Sequence, residues 1–256
     1  MICLLFVAPL WAAAVTPPRA TSDTIRLEVG SKEIDGRIYA PHAARVRVRI
    51  GEADSPIVAE WTNELTIGDS AGRRVMRWVT KGTRVQPSGT PITWELRQTY
   101  DAITLAPLGY LSTSSAGAHV SLTLEGRRVR GTRRTPTDSV ARAVDVTLER
   151  PGFIASASDL IPLAVRLEAG TVMTAPVWSP AMTNSELRIF TVLEEVPLTI
   201  EGSVLRAWKV EERRHADRAL VVTWYLRKAS PYMVYGEVPL ADGRVQRMTE
   251  VAIPTP

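Results

Sequence analysis

The feature that most constrains the fold is a period-two alternation of apolar and polar residues in five segments. In residues 45–50 the sequence RVRVRI places Val46, Val48 and Ile50 on one face. Successive side chains of a strand point to opposite faces, so each segment has one apolar face and one polar face. The other segments are 92–98, 120–125, 144–149 and 222–227. One buried and one wet face is typical of antiparallel sheet, so the predicted fold is mainly β.

Turn signals separate these segments, and they contain the glycines that tight turns need. We predict turns at Gly68 and Asp69, Gly72, Glu125 and Gly126, Glu201 and Gly202, and Asp242 and Gly243, the last as a tight hairpin. The 18 prolines would break long helices but are tolerated at strand edges and in turns. We therefore expect a curved antiparallel sheet or half-open barrel.

Residues 158–170 depart from the alternation and predict the single short helix of the chain. Ser158 is a plausible N-cap, Pro162 falls in the first turn, and Gly170 is a plausible C-terminal stop. A strand over residues 162–168 is the alternative interpretation of the same segment.

The chain also resembles itself at an offset of 130 residues. This shift places Gly72 on Gly202, Trp78 on Trp208, and Trp94 on Trp224. We predict two pseudo-repeats, an N-terminal β half (25–150) and a C-terminal β half (151–256), in one continuous sheet. Each tryptophan pair should occupy equivalent strand positions on the same side of the sheet, with all four tryptophans largely buried. Two unrelated hairpins of similar length are the alternative.

The N-terminus has the composition of an export signal. Residues 2–15 are apolar and end in Ala12, Ala13 and Ala14, which predicts a signal peptide over residues 1–14 and a linker over 15–24. A buried N-terminal strand or helix is the alternative. The run is shorter than the roughly 20 residues of a transmembrane helix, and no transmembrane span is expected. The location is then periplasmic or secreted. Because the single cysteine, Cys3, lies in this run, the mature chain would contain neither disulfides nor thiolate sites.

Side chains suited to catalysis or metal binding do not cluster in the sequence. His42, His119 and His215 are far apart and lack metal-ligand spacing, so we interpret them as surface or turn histidines. The pairs Glu194–Glu195 and Glu211–Glu212 are adjacent, and adjacent strand residues point to opposite faces. We interpret them as solvated strand-end charges, and we expect no catalytic residues, no metal and no cofactor.

Five arginines form the densest charge cluster. Arg127, Arg128, Arg130, Arg133 and Arg134 fall within eight residues that contain no acid. They form a candidate patch for an anionic partner such as a lipid head group, because the guanidinium fork suits bidentate contacts. An edge strand protected by charged side chains is the alternative. Nucleic acid is not an expected partner, because no recognition motif accompanies the cluster.

Six tryptophans follow the predicted signal peptide: Trp61, Trp78, Trp94, Trp178, Trp208 and Trp224. Trp94 and Trp224 share a face with aliphatic residues, which predicts core packing. The alternative is that they line an apolar cavity under a curved sheet. As a set, Trp78, Trp94, Trp208 and Trp224 are the candidate ligand-binding residues.

The C-terminal third resembles a known family. The run TWYLR at 223–227, Ser230-Pro231-Tyr232, and Asp242-Gly243 resemble a domain-of-unknown-function family of exported bacterial proteins, as do segments 159–170 and 99–108. The resemblance covers residues 60–253. It implies a half-open antiparallel β-barrel with a short helix, similar to the periplasmic lipoprotein carriers, which bind acyl chains in their concave face. The family supplies no catalytic residues to transfer.

Together these patterns predict an exported, non-enzymatic protein that holds an apolar or amphiphilic ligand in a concave β-sheet. The alternative is an envelope scaffold or protein-interaction module, with an envelope protein as the partner. A third hypothesis is a hydrolase whose site assembles in space from distant residues.

Overall fold

The computed structural model describes residues 24–52, 54–85 and 89–253. The predicted signal peptide, Cys3 and all of the predicted linker except Thr24 lie outside these residues. Most of the described chain is strand, with one short α-helix, α1 (Leu160–Leu163), and two 3₁₀ helices of one turn each, Gly36–Ile38 and Ala155–Ala157. The strands are β1 (Ile25–Arg26), β2 (His42–Ile50), β3 (Ile57–Ser70), β4 (Arg73–Val85), β5 (Pro91–Asp101), β6 (Pro107–Ser114), β7 (His119–Glu125), β8 (Arg128–Arg134), β9 (Arg142–Thr147), β10 (Phe153–Ile154), β11 (Val172–Trp178), β12 (Glu186–Ile200), β13 (Ser203–Arg214), β14 (Leu220–Leu226), β15 (Met233–Pro239) and β16 (Val245–Ala252).

All of these strands belong to one open sheet. The order is β1-β11-β12-β13-β14-β15-β16-β2-β3-β4-β5-β6-β7-β8-β9, and β10 also pairs with β11. Pairing is antiparallel except at β11, where β1 and β10 run parallel to it. Strands β16 and β2 pair side by side and join the C-terminal strands to the N-terminal ones. The predicted mainly β, half-open fold is therefore confirmed.

The two runs of strands correspond in order and in spacing. Strands β2 to β7 begin at residues 42, 57, 73, 91, 107 and 119, and β11 to β16 begin at 172, 186, 203, 220, 233 and 245. An offset near 130 relates the first four pairs, and the last two drift to 126. The division of the chain at residue 150 into two halves stays a prediction.

Strand register places Trp94 and Trp224 on the same side of the sheet, as predicted. Trp94 pairs with Gly82, which pairs with Trp61 and then with Val46 of β2. From the other direction, Trp224 pairs with Gly236, then Met248, then Val48 of β2. Paired residues project from the same face, and Val46 and Val48 are two residues apart on one strand. The inner face, defined as the face that carries Val46 and Val48, therefore holds both tryptophans.

Most predicted turns are present. Gly72, Gly126, Gly202 and Gly243 all have positive φ angles, between 59° and 83°, which glycine adopts without steric cost. The turn predicted at Gly68 and Asp69 is wrong. Strand β3 continues to Ser70, with Gly68 opposite Val75, and the chain reverses at Ala71 and Gly72 instead.

The interior segment, residues 155–167, lies against the inner face and fills it. Leu160, Ile161 and Leu163 are among the largest fully buried side chains. Ser156 accepts a hydrogen bond from Gln98 Nε2 on β5 at 2.7 Å, and Ser158 Oγ donates to Glu212 on β13 at 2.7 Å. The segment is thus bonded to both runs of strands, and it occupies the space that a central ligand cavity would need.

The helix in this segment is shorter than predicted. It ends at Leu163, with Ala164 as its C-cap, so Gly170 does not stop it. Ser158 does not cap the helix, because its hydroxyl is engaged with Glu212 and Asp159 holds the N-cap position. No strand forms over residues 162–168.

Candidate functional site

The two ends of the open sheet meet at a seam, where the loop after β11 approaches strands β7 to β9. Arg133 Nη1 on β8 donates to the carbonyl oxygen of Pro180 at 3.1 Å. The amide N–H of Glu149 donates to Asn184 Oδ1 at 2.9 Å. These hydrogen bonds hold the loop in place, and no strand ladder joins β9 to the opposite end of the described sheet.

A groove of about 440 Å³, which we call the seam groove, lies at this junction. Its strand side carries Leu122 and Val144, which flank Gly131 in one register row, and also Val146. Its loop side carries Trp178 and Met182. Because apolar side chains line both walls, burial of an apolar chain here would be favourable.

At the seam groove one buried polar atom lacks a hydrogen-bond partner among the described residues, and one cation lacks a carboxylate partner. The indole Nε1 of Trp178 is buried and has no hydrogen-bond partner among the described residues. A buried hydrogen-bond donor without an acceptor lowers the stability of the folded state. Arg133 stands at the rim and forms no ion pair with any described carboxylate, although Asp145 nearby is engaged by Arg128 at 2.9 Å. The groove therefore offers an incoming molecule a cation that no described carboxylate neutralises.

The structure divides the predicted arginine patch between two faces of β8. Arg128, Arg130 and Arg134 alternate with Val129 and Arg133, and Val129 is fully buried. Arg128 and Arg130 lie near Asp145, whose pKa is lowered chiefly by its hydrogen bonds from Arg128. The alternative interpretation as a protected edge strand is wrong, because β8 pairs with β7 and β9 on its two sides.

The remaining arginines of the patch serve local contacts. Arg127 Nε donates to the carbonyl oxygen of Leu148 at 2.7 Å, and Arg134 Nε donates to that of Gly117 at 3.1 Å. Arg133 is the member of the patch that lines the seam groove.

The four candidate tryptophans do not converge on one site. Trp78 is buried at 7% exposure, and its Nε1 donates to Thr80 Oγ1 at 3.2 Å. Trp94, Trp208 and Trp224 are only half-buried, so the prediction that all four are largely buried is wrong for these three. Trp94 lines a separate cleft with Trp61, and Trp178, outside the predicted set, lines the seam groove.

Three buried carboxyl groups face the interior. Glu212 has 2% exposure, so its interpretation as a solvated strand-end charge is wrong. It lies two residues from Val210, on the same face, and receives hydrogen bonds from Ser158 Oγ and Trp224 Nε1 at 2.7 and 2.9 Å. Burial raises its pKa. Burial also raises the pKa of Asp159 to about 7 and that of Glu250 to about 8.

The histidines remain apart in the fold. His42 is partly buried rather than a surface residue, with its ring 4.9 Å from that of Tyr232 and 5.8 Å from that of Trp78. This desolvation lowers its pKa. His119 begins β7, and His215 is exposed after β13. Among the described residues, no group of three or more histidine, cysteine or acidic side chains could hold a metal ion.

Comparison with known proteins bears on the fold alone. No protein-family model matches the chain, and no curated protein matches it in sequence. A solved structure is similar: the beta-barrel-like protein of domain of unknown function DUF1849 from Brucella abortus. The TM-score is 0.51 at 10% identity, over 82% of this chain and 95% of that one. The barrel-like architecture implied by the sequence resemblance is thereby supported. No helix in the described part of the chain is long and apolar enough to cross a membrane.

Proposed function

We propose that this chain is an exported, non-enzymatic binding protein that holds an amphiphile in the seam groove. The ligand would have an apolar chain and an anionic head group. The observation that carries the proposal is the combination at one place of an apolar groove and the guanidinium of Arg133, which forms no ion pair with any described carboxylate.

The dimensions and the chemistry of the groove fit one such molecule. Its volume of about 440 Å³ lies in the range of roughly 300–1,000 Å³ for small-molecule sites. The walls formed by Leu122, Val144 and Met182 would contact the chain. Arg133 would contact the head group, since a guanidinium forms strong charge-assisted hydrogen bonds with carboxylates and phosphates. The groove thus replaces the central concavity as the site for an apolar or amphiphilic ligand.

Two further features support this assignment. The apolar run at residues 2–15 favours export, where lipids and other envelope amphiphiles are available. The described histidines lie in separate places, with no nucleophile and base arranged around the groove. A binding role therefore accounts for the groove better than a hydrolytic one.

The direct test is the binding of dodecanoate by isothermal titration calorimetry. Val146 lines the groove and is 37% exposed, so Val146→Glu should fold while placing a charge against the acyl chain. Val204→Glu is the matched control, because Val204 is also a strand valine and is 71% exposed outside the groove. We expect Val146→Glu to abolish binding and Val204→Glu to leave it unchanged. Absence of dodecanoate binding by the wild type would contradict the proposal.

A second experiment tests the polar end of the groove. Replacing Arg133 by Gln removes the cation, which should weaken dodecanoate binding by about 1.5–3 kcal/mol, the usual contribution of a hydrogen bond to a charged group. Binding of neutral dodecanol should change little. Arg128→Gln is the control, since Arg128 lies on the opposite face of β8 and is paired with Asp145.

An interaction module is the second candidate function, and the exposed edge of β9 favours it. This strand pairs only with β8, and most of its residues are exposed. A partner strand could add to such an edge. Thr147→Pro would remove an edge-facing backbone donor of β9 outside the seam groove, and loss of a partner captured by crosslinking, with dodecanoate binding retained, would favour this function.

A further inference from the structure

A second cavity lies on the outer face of the sheet, which is the face opposite to the inner face. It is a cleft of about 420 Å³ at the end of the sheet where β1 pairs with β11 and β11 pairs with β12, and we call it the arginine cleft. The described residues that line it do not line the seam groove. It therefore requires its own explanation.

Strand register places the centre of this cleft on the outer face. Phe190 of β12 pairs with Glu212 and so belongs to the inner face. The preceding residue, Ile189, projects from the outer face, and it pairs with Thr174 of β11. Thr174 pairs in turn with Arg26 of β1. Arg26, Thr174 and Ile189, which all line the cleft, therefore form one row across three strands of the same face.

The floor of the cleft is apolar. Ile189 is buried at 5% exposure, although it lies on the outer face. Leu187 and Val172 also line the cleft, and they share its face because they lie two positions from Ile189 and Thr174. Charges above such a floor are screened less by water and salt than charges on an open surface.

Three arginines from distant parts of the sequence line the cleft. They are Arg26 of β1, Arg150 just before β10, and Arg218 in the turn after β13. The first two come together because β1 and β10 both pair with β11. The third approaches because the end of β13 is bonded to β12, with the amide of His215 donating to the carbonyl oxygen of Leu187 at 3.0 Å.

The positive charge of these arginines is not neutralised inside the described part of the protein. None of the three guanidinium groups forms an ion pair with a described carboxylate. The acidic side chains in and after β13 are engaged elsewhere, Glu211 by Arg213 at 2.9 Å and Asp217 by Arg214 at 2.7 Å. Of the described carboxylates, Glu28 alone lines the cleft. Three cations thus face one anion, which leaves two positive charges.

We propose that the arginine cleft binds a phosphomonoester group, carried either by a free phosphate compound or by a lipid head group. Guanidinium forks form strong, charge-assisted hydrogen bonds with phosphate oxygens. A phosphomonoester carries a charge of about −1.5 to −2 at pH 7, which matches the two positive charges of the cleft better than a single carboxylate does. The hydroxyl of Thr174 and the ring of His215 add hydrogen-bonding groups to the same lining.

Isothermal titration calorimetry with glycerol 3-phosphate tests the proposal for a free compound. Binding is expected at concentrations up to about 10 mM, the range of a weak single-site ligand. It should weaken when NaCl is raised from about 0.02 to about 0.2 M, because salt screens the contacts of partly exposed charges. Cosedimentation with phosphatidylcholine vesicles that contain phosphatidic acid presents the same group on a lipid, with pure phosphatidylcholine vesicles as the blank.

The two probes distinguish the sources of the phosphate. Binding of glycerol 3-phosphate would show that the phosphate group itself is sufficient. Binding of the phosphatidic acid vesicles alone would assign the cleft to a lipid head group at a membrane surface. Binding of neither probe, or equal binding to the pure phosphatidylcholine vesicles, would overturn the proposal.

Charge variants locate the binding in the cleft. Arg26→Gln and Arg150→Gln, at exposed positions that should not disturb folding, should each weaken whichever probe binds by at least about threefold, as for a partly exposed charge contact. Glu28→Gln removes the opposing carboxylate and should strengthen binding. Arg77→Gln is the matched control, because Arg77 is an exposed strand arginine outside the cleft. Unchanged affinity in both cleft variants, or an equal loss in the control, would refute the assignment.

The arginine cleft and the seam groove are tested independently. Val146→Glu should abolish dodecanoate binding and leave the phosphomonoester probe unaffected, and Arg26→Gln should do the reverse. Failure of one proposal is therefore distinguishable from failure of the other. Loss of phosphomonoester binding in Val146→Glu would assign the phosphate to the seam groove and would contradict a separate site.

Discussion

Asn63 on β3 donates its Nδ2 hydrogen to Glu250 Oε1 on β16 at 3.2 Å, reaching across β2. Asn63 Oδ1 in turn accepts from Thr80 Oγ1 at 2.9 Å, and Thr80 accepts from the indole of Trp78. This buried chain of hydrogen bonds crosses the junction of the N-terminal and C-terminal strands. It links β16, β3 and β4 by polar contacts that only the observed register permits.

The protonation of Glu250 should make the stability of the protein depend on pH. Burial raises the pKa of Glu250 to about 8 and that of Asp159 to about 7, whereas both are near 4 in the unfolded chain. The folded state therefore keeps protons that the unfolded state releases. The stabilisation is complete below about pH 4 and is lost as pH rises toward 8. The free energy of unfolding, measured with urea at pH 5, 7 and 9, should fall as the pH rises.

Replacing Glu250 by Gln isolates this carboxyl from the others. Glutamine mimics the protonated acid, so the variant should gain stability relative to wild type at pH 9 by at least about 1 kcal/mol, the equivalent of one pKa unit. At pH 5 the difference should be small. Glu194→Gln is the control, since Glu194 is exposed. A variant that follows the wild-type pH profile would show that Glu250 does not carry the effect.

The buried pair of Arg188 and Glu212 should behave as a coupled unit. Their side chains have 10% and 3% exposure, and Arg188 Nη1 lies 3.4 Å from Glu212 Oε1. Removing Glu212 leaves a buried guanidinium with only Glu186, at 3.1 Å, as its carboxylate partner. We expect Glu212→Ala to cost about 3 kcal/mol, and the double variant with Arg188→Ala to cost clearly less than the sum of the two. Additive losses in chemical unfolding would contradict this.

Trp78 should contribute more to stability than the other predicted tryptophans. It is the most buried of the four and packs in the main core. Truncation to Ala should cost about 3–5 kcal/mol, as for large aromatic side chains in cores. Trp208→Ala should cost clearly less, because Trp208 is half-buried. Equal losses in both variants would mean that the exposed part of Trp208 is covered in solution.

Gly82 should tolerate substitution less well than another strand glycine. A Cβ at residue 82 would overlap Trp61 and Trp94, whereas at Gly109 the nearest atom is 3.7 Å away. Overpacking typically costs about 1–3 kcal/mol, so Gly82→Ala should destabilise by that amount and shift the tryptophan fluorescence. Gly109→Ala should change the free energy of unfolding by no more than about 0.5 kcal/mol. A similar loss at both positions would refute the steric argument.

The strands could be predicted because alternation is a local property of the sequence. Val46 and Val48, for example, are buried on β2 as their spacing indicates. The same alternation predicts that Glu212 is buried, because Glu212 follows Val210 by two residues and therefore lies on the same inner face. The seam groove could not be predicted in this way. It depends on Pro180 reaching Arg133 across 47 positions of sequence, and no local pattern encodes that approach.

The interior segment was the least predictable part of the core, for a related reason. Its apolar residues indicated a helix, but a four-residue helix is stable only because tertiary contacts surround it. Those contacts come from both runs of strands. The conformation of residues 158–163 is therefore determined by packing under the sheet more than by their own helix propensity.

Finally, the division of the chain at residue 150 can be tested by expressing residues 24–150 and 151–253 separately. The contacts predict interdependence, because β1 pairs with β11, β2 pairs with β16, and the Tyr39 hydroxyl donates to the carbonyl oxygen of Leu160. Each fragment alone would expose the inner face that the other covers. We expect neither fragment to show a cooperative thermal transition, and an equimolar mixture to recover one. A sharp transition in an isolated fragment would instead identify that half as an independent folding unit.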